Sequence, residues 1–136
     1  MRPMRIIGLA TFSVLTAGVA AFGQAGPQKV GWRELAAHPE RYLGKRIELS
    51  AAYCSSDEKG AFDCSTDGPV HVAPAALAPA RARQKVESDC GGLDTIERSR
   101  SCRARIRFTP TSIRRDTDVA GKRVLVLAAD EAELSF

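Results

Sequence analysis

The segment Cys102–Phe108, CRARIRF, has an arginine at every second position and a small or apolar residue at the others. Successive side chains of a β-strand point to opposite faces, so this period of two predicts a strand with one dry and one solvated face. We expect the strand to end before Pro110, because proline cannot donate to a strand ladder. The predicted dry face consists of Cys102, Ala104, Ile106 and Phe108, and the solvated face of Arg103, Arg105 and Arg107.

The chain contains four cysteines, all of them within residues 54–102. An even number of cysteines in an oxidising compartment predicts two disulfides. Three pairings are formally open, and the spacing favours the two local ones. Zinc is disfavoured because no tight C-x2-C pair is present, so no metal and no cofactor are expected. The favoured disulfides are Cys54 with Cys64 and Cys90 with Cys102.

Residues 1–25 have the layout of a cleaved secretory signal peptide. Two arginines precede an uncharged apolar run over residues 6–22, which is short for a membrane span, and small residues follow it. We therefore expect residues 26–136 to form one periplasmic or secreted domain with no membrane span. The residues after which cleavage is expected are Ala21, Gly23 and Ala25.

Charge is distributed unevenly along the chain. Loss of Arg2 and Arg5 with the expected signal peptide lowers the formal net charge from +4 to about +2. The mature chain taken as a whole is therefore not a polybasic nucleic-acid binder. The segment from Arg98 to Arg115 nevertheless contains seven arginines and no acidic residue. Any anion-binding surface is therefore expected to be local.

The order of predicted elements indicates the fold class. A short helix near residues 32–38 precedes a strand that begins at Arg46, with Ile47, Leu49, Ala51 and Tyr53 expected on its buried face. Two short strands, an alanine-rich helix, the strand Cys102–Phe108 and a final apolar strand follow. Five strands with a helix between the third and fourth predict a β-barrel of the OB-fold type.

Two segments carry short patterns of turn and core residues, namely Pro39, Tyr42, Gly44, Lys45 and Ile47, then Gly121, Lys122, Val124 and Val126. In these residues the segments resemble the small exported, periplasmic bacterial OB-fold proteins, over about a third of the mature chain. One segment surrounds the first predicted strand and the other the last. The resemblance implies the barrel fold rather than an activity, and several such proteins are thought to bind ligands or proteins other than nucleic acid.

No motif predicts catalysis. The chain lacks G-x-S-x-G, H-E-x-x-H and a glycine-rich phosphate loop, and its two histidines have no paired carboxylate or nucleophile nearby in sequence. His71 alternates with Val70 and Val72 and is expected on the solvated face of a strand. We therefore expect a protein that is not an enzyme, and a small hydrolase using His71 is the third alternative.

The arginines are the remaining candidates for binding. The solvated row Arg103, Arg105 and Arg107 is interpreted first as a barrel exterior and second as a partner surface. OB domains bind ligands near the loops that join strands 1 to 2 and 4 to 5. In this chain those loops span residues 55–60 and 109–121. The predicted ligand site is therefore Arg114, Arg115, Lys59 and His71.

These observations predict a non-catalytic exported binding domain. Its expected partner is an envelope protein or an anionic glycan or lipid headgroup. The alternative is a secreted binder of single-stranded nucleic acid, which the scarcity of aromatic residues disfavours.

Overall fold

The computed structural model describes residues 26–90 and 100–136. The expected signal peptide and its expected cleavage sites lie outside these residues, as do Gly91 and Gly92, at which the sequence predicts the end of the alanine-rich helix. The described elements are β1 (Gln28–Lys29), α1 (Trp32–Ala37), a 3-10 helix (Pro39–Tyr42), β2 (Ile47–Ser56), β3 (Phe62–Ser65), β4 (Val70–Ala78), α2 (Ala80–Asp89), β5 (Arg103–Phe108), β6 (Ser112–Thr117) and β7 (Arg123–Ser135).

Five strands close into a barrel. Hydrogen bonding runs in the order β2, β3, β4, β7, β5 and returns from β5 to β2, so the ring has no open edge. Strands β4 and β7 are parallel, and the other pairs of the ring are antiparallel. This arrangement is an OB-like barrel, which confirms the predicted fold class.

The central helix lies one strand later than predicted. Counted along the chain, α2 falls between the fourth and fifth strands rather than between the third and fourth. The difference arises from β1, a two-residue strand that pairs in parallel with the start of β2. Within the closed ring, α2 still follows β4, the third of the five ring strands.

Strand β5 has the predicted faces, whereas half of β2 does not. Cys102, Ala104, Ile106 and Phe108 are all buried. In β2 the residues buried after Leu49 are Ala52 and Cys54, not Ala51 and Tyr53. An irregularity in the pairing with β5 between Leu49 and Ala52 inserts a residue and reverses the faces beyond it.

Two further elements differ from the sequence prediction. Strand β4 extends through an alanine-rich stretch to Ala78, because pairing with the second half of β7 outweighs the helix preference of alanine. The predicted loop over residues 109–121 contains β6, which pairs with the first half of β7. Strand β7, at 13 residues, therefore has β4 on one edge and both β6 and β5 on the other.

Both predicted disulfides are confirmed. Cys54 and Cys64 are directly opposed on β2 and β3, and both are buried in the barrel. Cys90 at the end of α2 is bonded to Cys102 immediately before β5, with 5.8 Å between their Cα atoms. None of the described helices has the length and apolar composition that crossing a bilayer requires.

Candidate anion-binding site

The two arginines of the predicted ligand site lie in β6 rather than in a loop. Arg114 and Arg115 are adjacent residues of this strand, so their side chains leave it on opposite faces. Arg114 also forms an ion pair with Asp116 at 3.5 Å. The structure therefore does not direct both guanidinium groups at one anion.

His71 faces outward, as predicted, and has a carboxylate partner that its sequence neighbours did not reveal. Its Nδ1 lies 3.1 and 3.2 Å from the two carboxylate oxygens of Asp63 on β3. His71 and Arg114 both oppose Val126 of β7, from its two sides, and so share one face of the sheet. Lys59 lies in the exposed turn between β2 and β3, and no contact among the described residues joins it to His71 or to these arginines.

The arginine row of β5 is divided by an ion-pair network around Glu48. Glu48, at 5% exposure, is the one charged residue that the core buries in the described part of the chain. The Arg107 Nε donates to its Oε1 at 2.8 Å, and the Arg107 Nη1 donates to Glu133 at 2.7 Å. Arg46 contacts the other oxygen of Glu133 at 3.3 Å. Arg107 is therefore part of the barrel's own structure.

The charge states in this network follow from its contacts. Hydrogen bonding from Arg107 lowers the pKa of Glu48 below its ordinary value of about 4.5, and the charges of Arg105 and Lys29 act in the same direction against the effect of burial. Hydrogen bonds to Glu48 and Glu133 raise the pKa of Arg107. Both shifts favour the ionised forms of Glu48 and Arg107.

Arg103 and Arg105 remain available on the same face of β5. Arg105 reaches only a carboxylate oxygen of Glu48, at 3.9 Å, and 52% of its side chain is exposed. Arg103 is exposed and forms no ion pair with any residue that the structure describes. Alternate residues of a strand are about 7 Å apart, so both guanidinium groups border the same surface.

That surface is a groove across β2, which we call the β2 groove. It consists of three adjacent clefts of about 280, 270 and 220 Å³ that all border Ser50. The groove forms because Ser50 and Ala51 lie in the irregular part of β2, where β5 offers no paired partner and β1 has already ended. Its principal lining residues are Lys29, Gly31, Ser50, Ala51, Arg103 and Arg105.

A second depression, which we call the Trp32 cleft, lies beside the turn between β3 and β4 and measures about 430 Å³. The Trp32 ring packs against Gly68, where any Cβ atom would overlap it. The half-buried Trp32 ring forms a wall of this cleft. The residues that line it include Trp32, Asp67, Gly68, His71, Lys122 and Arg123.

The sequence identified some of these residues but not their grouping. Arg103 and Arg105 were predicted to share a face, and His71 was predicted to point outward. Lys29, Ser50 and Trp32 were missed as site residues, because their approach depends on the irregularity of β2 and on the short β1. No local sequence pattern marks either feature.

Comparison with known proteins gives little information. No family model matches the chain, and no curated protein matches it. A crystal structure described as a "putative aspartyl-tRNA synthetase from Leishmania major Friedlin" is similar over 85% of this chain, at 14% identity and a TM-score of 0.36. The chain spans only 22% of the length of that protein. A likeness at this level carries no argument about the present chain.

Proposed function

We propose that this protein is a non-catalytic, exported OB-fold domain that binds an anionic ligand of the cell envelope in the β2 groove. The observation that carries the proposal is the position of Arg103, an exposed guanidinium group that lies beside Arg105 and forms no ion pair with any described residue. Guanidinium groups form paired hydrogen bonds with carboxylate, sulfate or phosphate. Lys29 borders the same groove and adds a third positive charge.

Export is part of the proposal and rests on three observations. The first 25 residues have the pattern of a signal peptide, and two disulfides favour an oxidising compartment. The resemblance to small periplasmic OB-fold proteins points in the same direction. We therefore propose the periplasm or the exterior as the site of action.

A small anionic ligand fits the surface better than a protein partner does. The large hydrophobic side chains that the described residues expose come from three separate segments, the turn after the 3-10 helix, the β6–β7 turn and the C-terminus. Stable protein interfaces usually have a contiguous apolar centre. We therefore favour an acidic glycan or a lipid headgroup over an envelope protein.

The proposal of a non-catalytic role rests on the surroundings of His71. Asp63 orients its ring, but the neighbouring hydroxyl of Ser65 donates to the backbone carbonyl of Tyr53 at 3.5 Å. Among the described residues, no group of three or more His, Cys, Asp or Glu side chains could hold a metal ion. A hydrolytic reaction would need an activated nucleophile or a metal-bound water.

The test compares two double variants of equal charge. Protein expressed from the full sequence, with both disulfides formed, would be titrated with a polyuronate, with heparin and with vesicles containing phosphatidylglycerol. We expect Arg103→Gln/Arg105→Gln to weaken binding to the preferred anion about tenfold, the effect of losing two solvent-exposed charge contacts. We expect Arg114→Gln/Arg115→Gln to have little effect.

Two outcomes would contradict the proposal. Equal losses in the two variants would show that overall charge, rather than the β2 groove, determines binding. If the unmodified protein binds none of the three anions, the proposed anion-binding function is wrong. The three probes also distinguish a carboxylated glycan, a sulfated glycan and a lipid headgroup as the source of the anion.

A further inference from the structure

The β2 groove and the Trp32 cleft border one another. Trp32 and Asp67 line both, so the two depressions meet at the Trp32 ring. From this continuity we infer that the ligand is a linear acidic polysaccharide, which runs along the β2 groove, passes Trp32 and ends against Lys122 and Arg123. This inference rests on the proposed function and extends it from a single anion to a polymer.

Positive charge continues into the second depression. Lys122 and Arg123 line the Trp32 cleft, are exposed and have no ion-pair partner among the residues that the structure describes. The nearby carboxylate of Asp118 accepts hydrogen bonds from the backbone N–H groups of Ala120 and Lys122, at 2.9 Å each. Asp118, which also lines the cleft, is therefore held by its own turn, and no ion pair joins it to Lys122 or Arg123 among the described residues.

The turn that presents these cations has a defined conformation. Gly121 has a φ of 79°, in the left-handed region that favours glycine, and its N–H donates to the carbonyl of Asp118 at 3.0 Å. The Asp118 N–H donates to the Lys122 carbonyl at 2.8 Å, which closes the β6–β7 hairpin. The side chains of Lys122 and Arg123 therefore project from a fixed backbone beside the cleft.

The junction between the depressions also carries a cation. The Arg33 guanidinium lies over the Trp32 ring, 4.8 Å from its centroid, while Gly68 packs against the ring. Both neighbours limit access to the aromatic faces, so Trp32 does not offer the open stacking platform on which nucleic-acid bases bind. A chain with regularly spaced acidic groups and hydroxyls is a better match for this path than a nucleic acid.

The acidic residues along the path leave its net charge positive. Glu48 borders the β2 groove but is paired with Arg107. Asp67 at the junction is the one acidic residue lining the path whose carboxylate forms no ion pair and no hydrogen bond among the described residues. Five basic side chains line the path, and together they exceed the remaining negative charge: Lys29, Arg103, Arg105, Lys122 and Arg123.

The test uses ligands that differ only in length. Oligomers of one uronic acid, a dimer and a long oligomer, would be titrated into the full-sequence protein with both disulfides formed. We expect Lys122→Gln/Arg123→Gln to weaken binding of the long oligomer about tenfold and to leave the dimer unchanged. The matched control is Lys59→Gln/Arg115→Gln, which removes the same charge from residues that line neither depression.

Each result of this experiment decides between the two proposals. If Lys122→Gln/Arg123→Gln leaves the long oligomer unaffected while Arg103→Gln/Arg105→Gln weakens both ligands, the polymer path is wrong and the β2 groove remains. If neither variant affects either ligand, the proposed function is wrong as well. Tighter binding of single-stranded DNA than of the long oligomer, with the same dependence on Lys122 and Arg123, would overturn the choice of a glycan.

Discussion

Glu48 shows how a single charged side chain can be buried without loss of pairing. The sequence placed it on the solvated face of the first strand, and alternation alone supports that prediction. In the structure Glu48 does point to the exterior side, but Arg107 crosses over it from β5 and covers it. Burial of this carboxylate arises from contacts between residues 59 positions apart, which no local pattern contains.

Glu48 gives a prediction about pH. Its pKa is lowered in the folded state, so its contribution to stability is complete above the unfolded value of about 4.5 and is lost as pH falls through the folded value. We expect Glu48→Gln to have a lower melting temperature than the unmodified protein at about pH 7. The difference should shrink steadily as the pH is lowered toward about 3.

Thermal unfolding followed by circular dichroism across this range measures the effect. The matched control is Glu131→Gln, since Glu131 is an exposed carboxylate of β7 with no ion pair among the described residues. A constant difference between Glu48→Gln and the unmodified protein at every pH would contradict the assigned role of the Glu48 carboxylate.

At the scale of elements, the sequence predicts strands well where the buried face is regular. The alternation of β5 was predicted correctly because its dry residues Ala104, Ile106 and Phe108 all pack in the barrel core. The prediction for β2 fails beyond Leu49 because one inserted residue exchanges the two faces. Strand β6 was missed because its residues are polar and largely exposed, so its pairing with β7, rather than any apolar pattern, defines it.

The two disulfides link different kinds of elements, and we expect their removal to have unequal effects. Each closes a loop of similar length and contributes about 3 kcal/mol in the chain-entropy description. Cys54 and Cys64 are also both fully buried between opposed strands, so Cys54→Ala/Cys64→Ala additionally leaves space in the core. Cys90 is only half-buried at a helix end.

Urea unfolding of the two double variants tests this expectation. Cys54→Ala/Cys64→Ala should lose about 1 kcal/mol more free energy of unfolding than Cys90→Ala/Cys102→Ala, as expected for a partly relaxed cavity. A larger loss for Cys90→Ala/Cys102→Ala would show that anchoring α2 to β5 matters more than packing inside the barrel.

For the whole molecule, a modest net charge coexists with a local group of basic side chains around the β2 groove. Composition established only that an anion-binding region must be local, and the sequence assigned it to Arg114 and Arg115 because OB domains commonly use that loop. Barrel closure instead gathers Lys29, Arg103 and Arg105 from distant parts of the chain. This grouping depends on which strands are neighbours. For that reason the sequence predicts only one part of the candidate site, the shared face of Arg103 and Arg105.

A surface of this kind should bind with a strong dependence on salt. Raising the ionic strength from about 0.05 M to about 0.2 M shortens the Debye length and should weaken polyuronate binding about tenfold. The dependence should be shallower for Arg103→Gln/Arg105→Gln, and uncharged dextran should not bind. Isothermal titration at several salt concentrations measures both slopes, and an affinity insensitive to salt would exclude charge as the basis of binding.

The bond between Cys90 and Cys102 has a consequence for how the protein withstands proteolysis. A protease that hydrolyses one peptide bond anywhere between these cysteines leaves the two fragments joined through sulfur. The N-terminal fragment retains β2, β3 and β4, and the C-terminal fragment retains β5 and β7, so both halves of the ring stay tethered. A nicked molecule could therefore keep its barrel and its arginines in place until a reductant separates it.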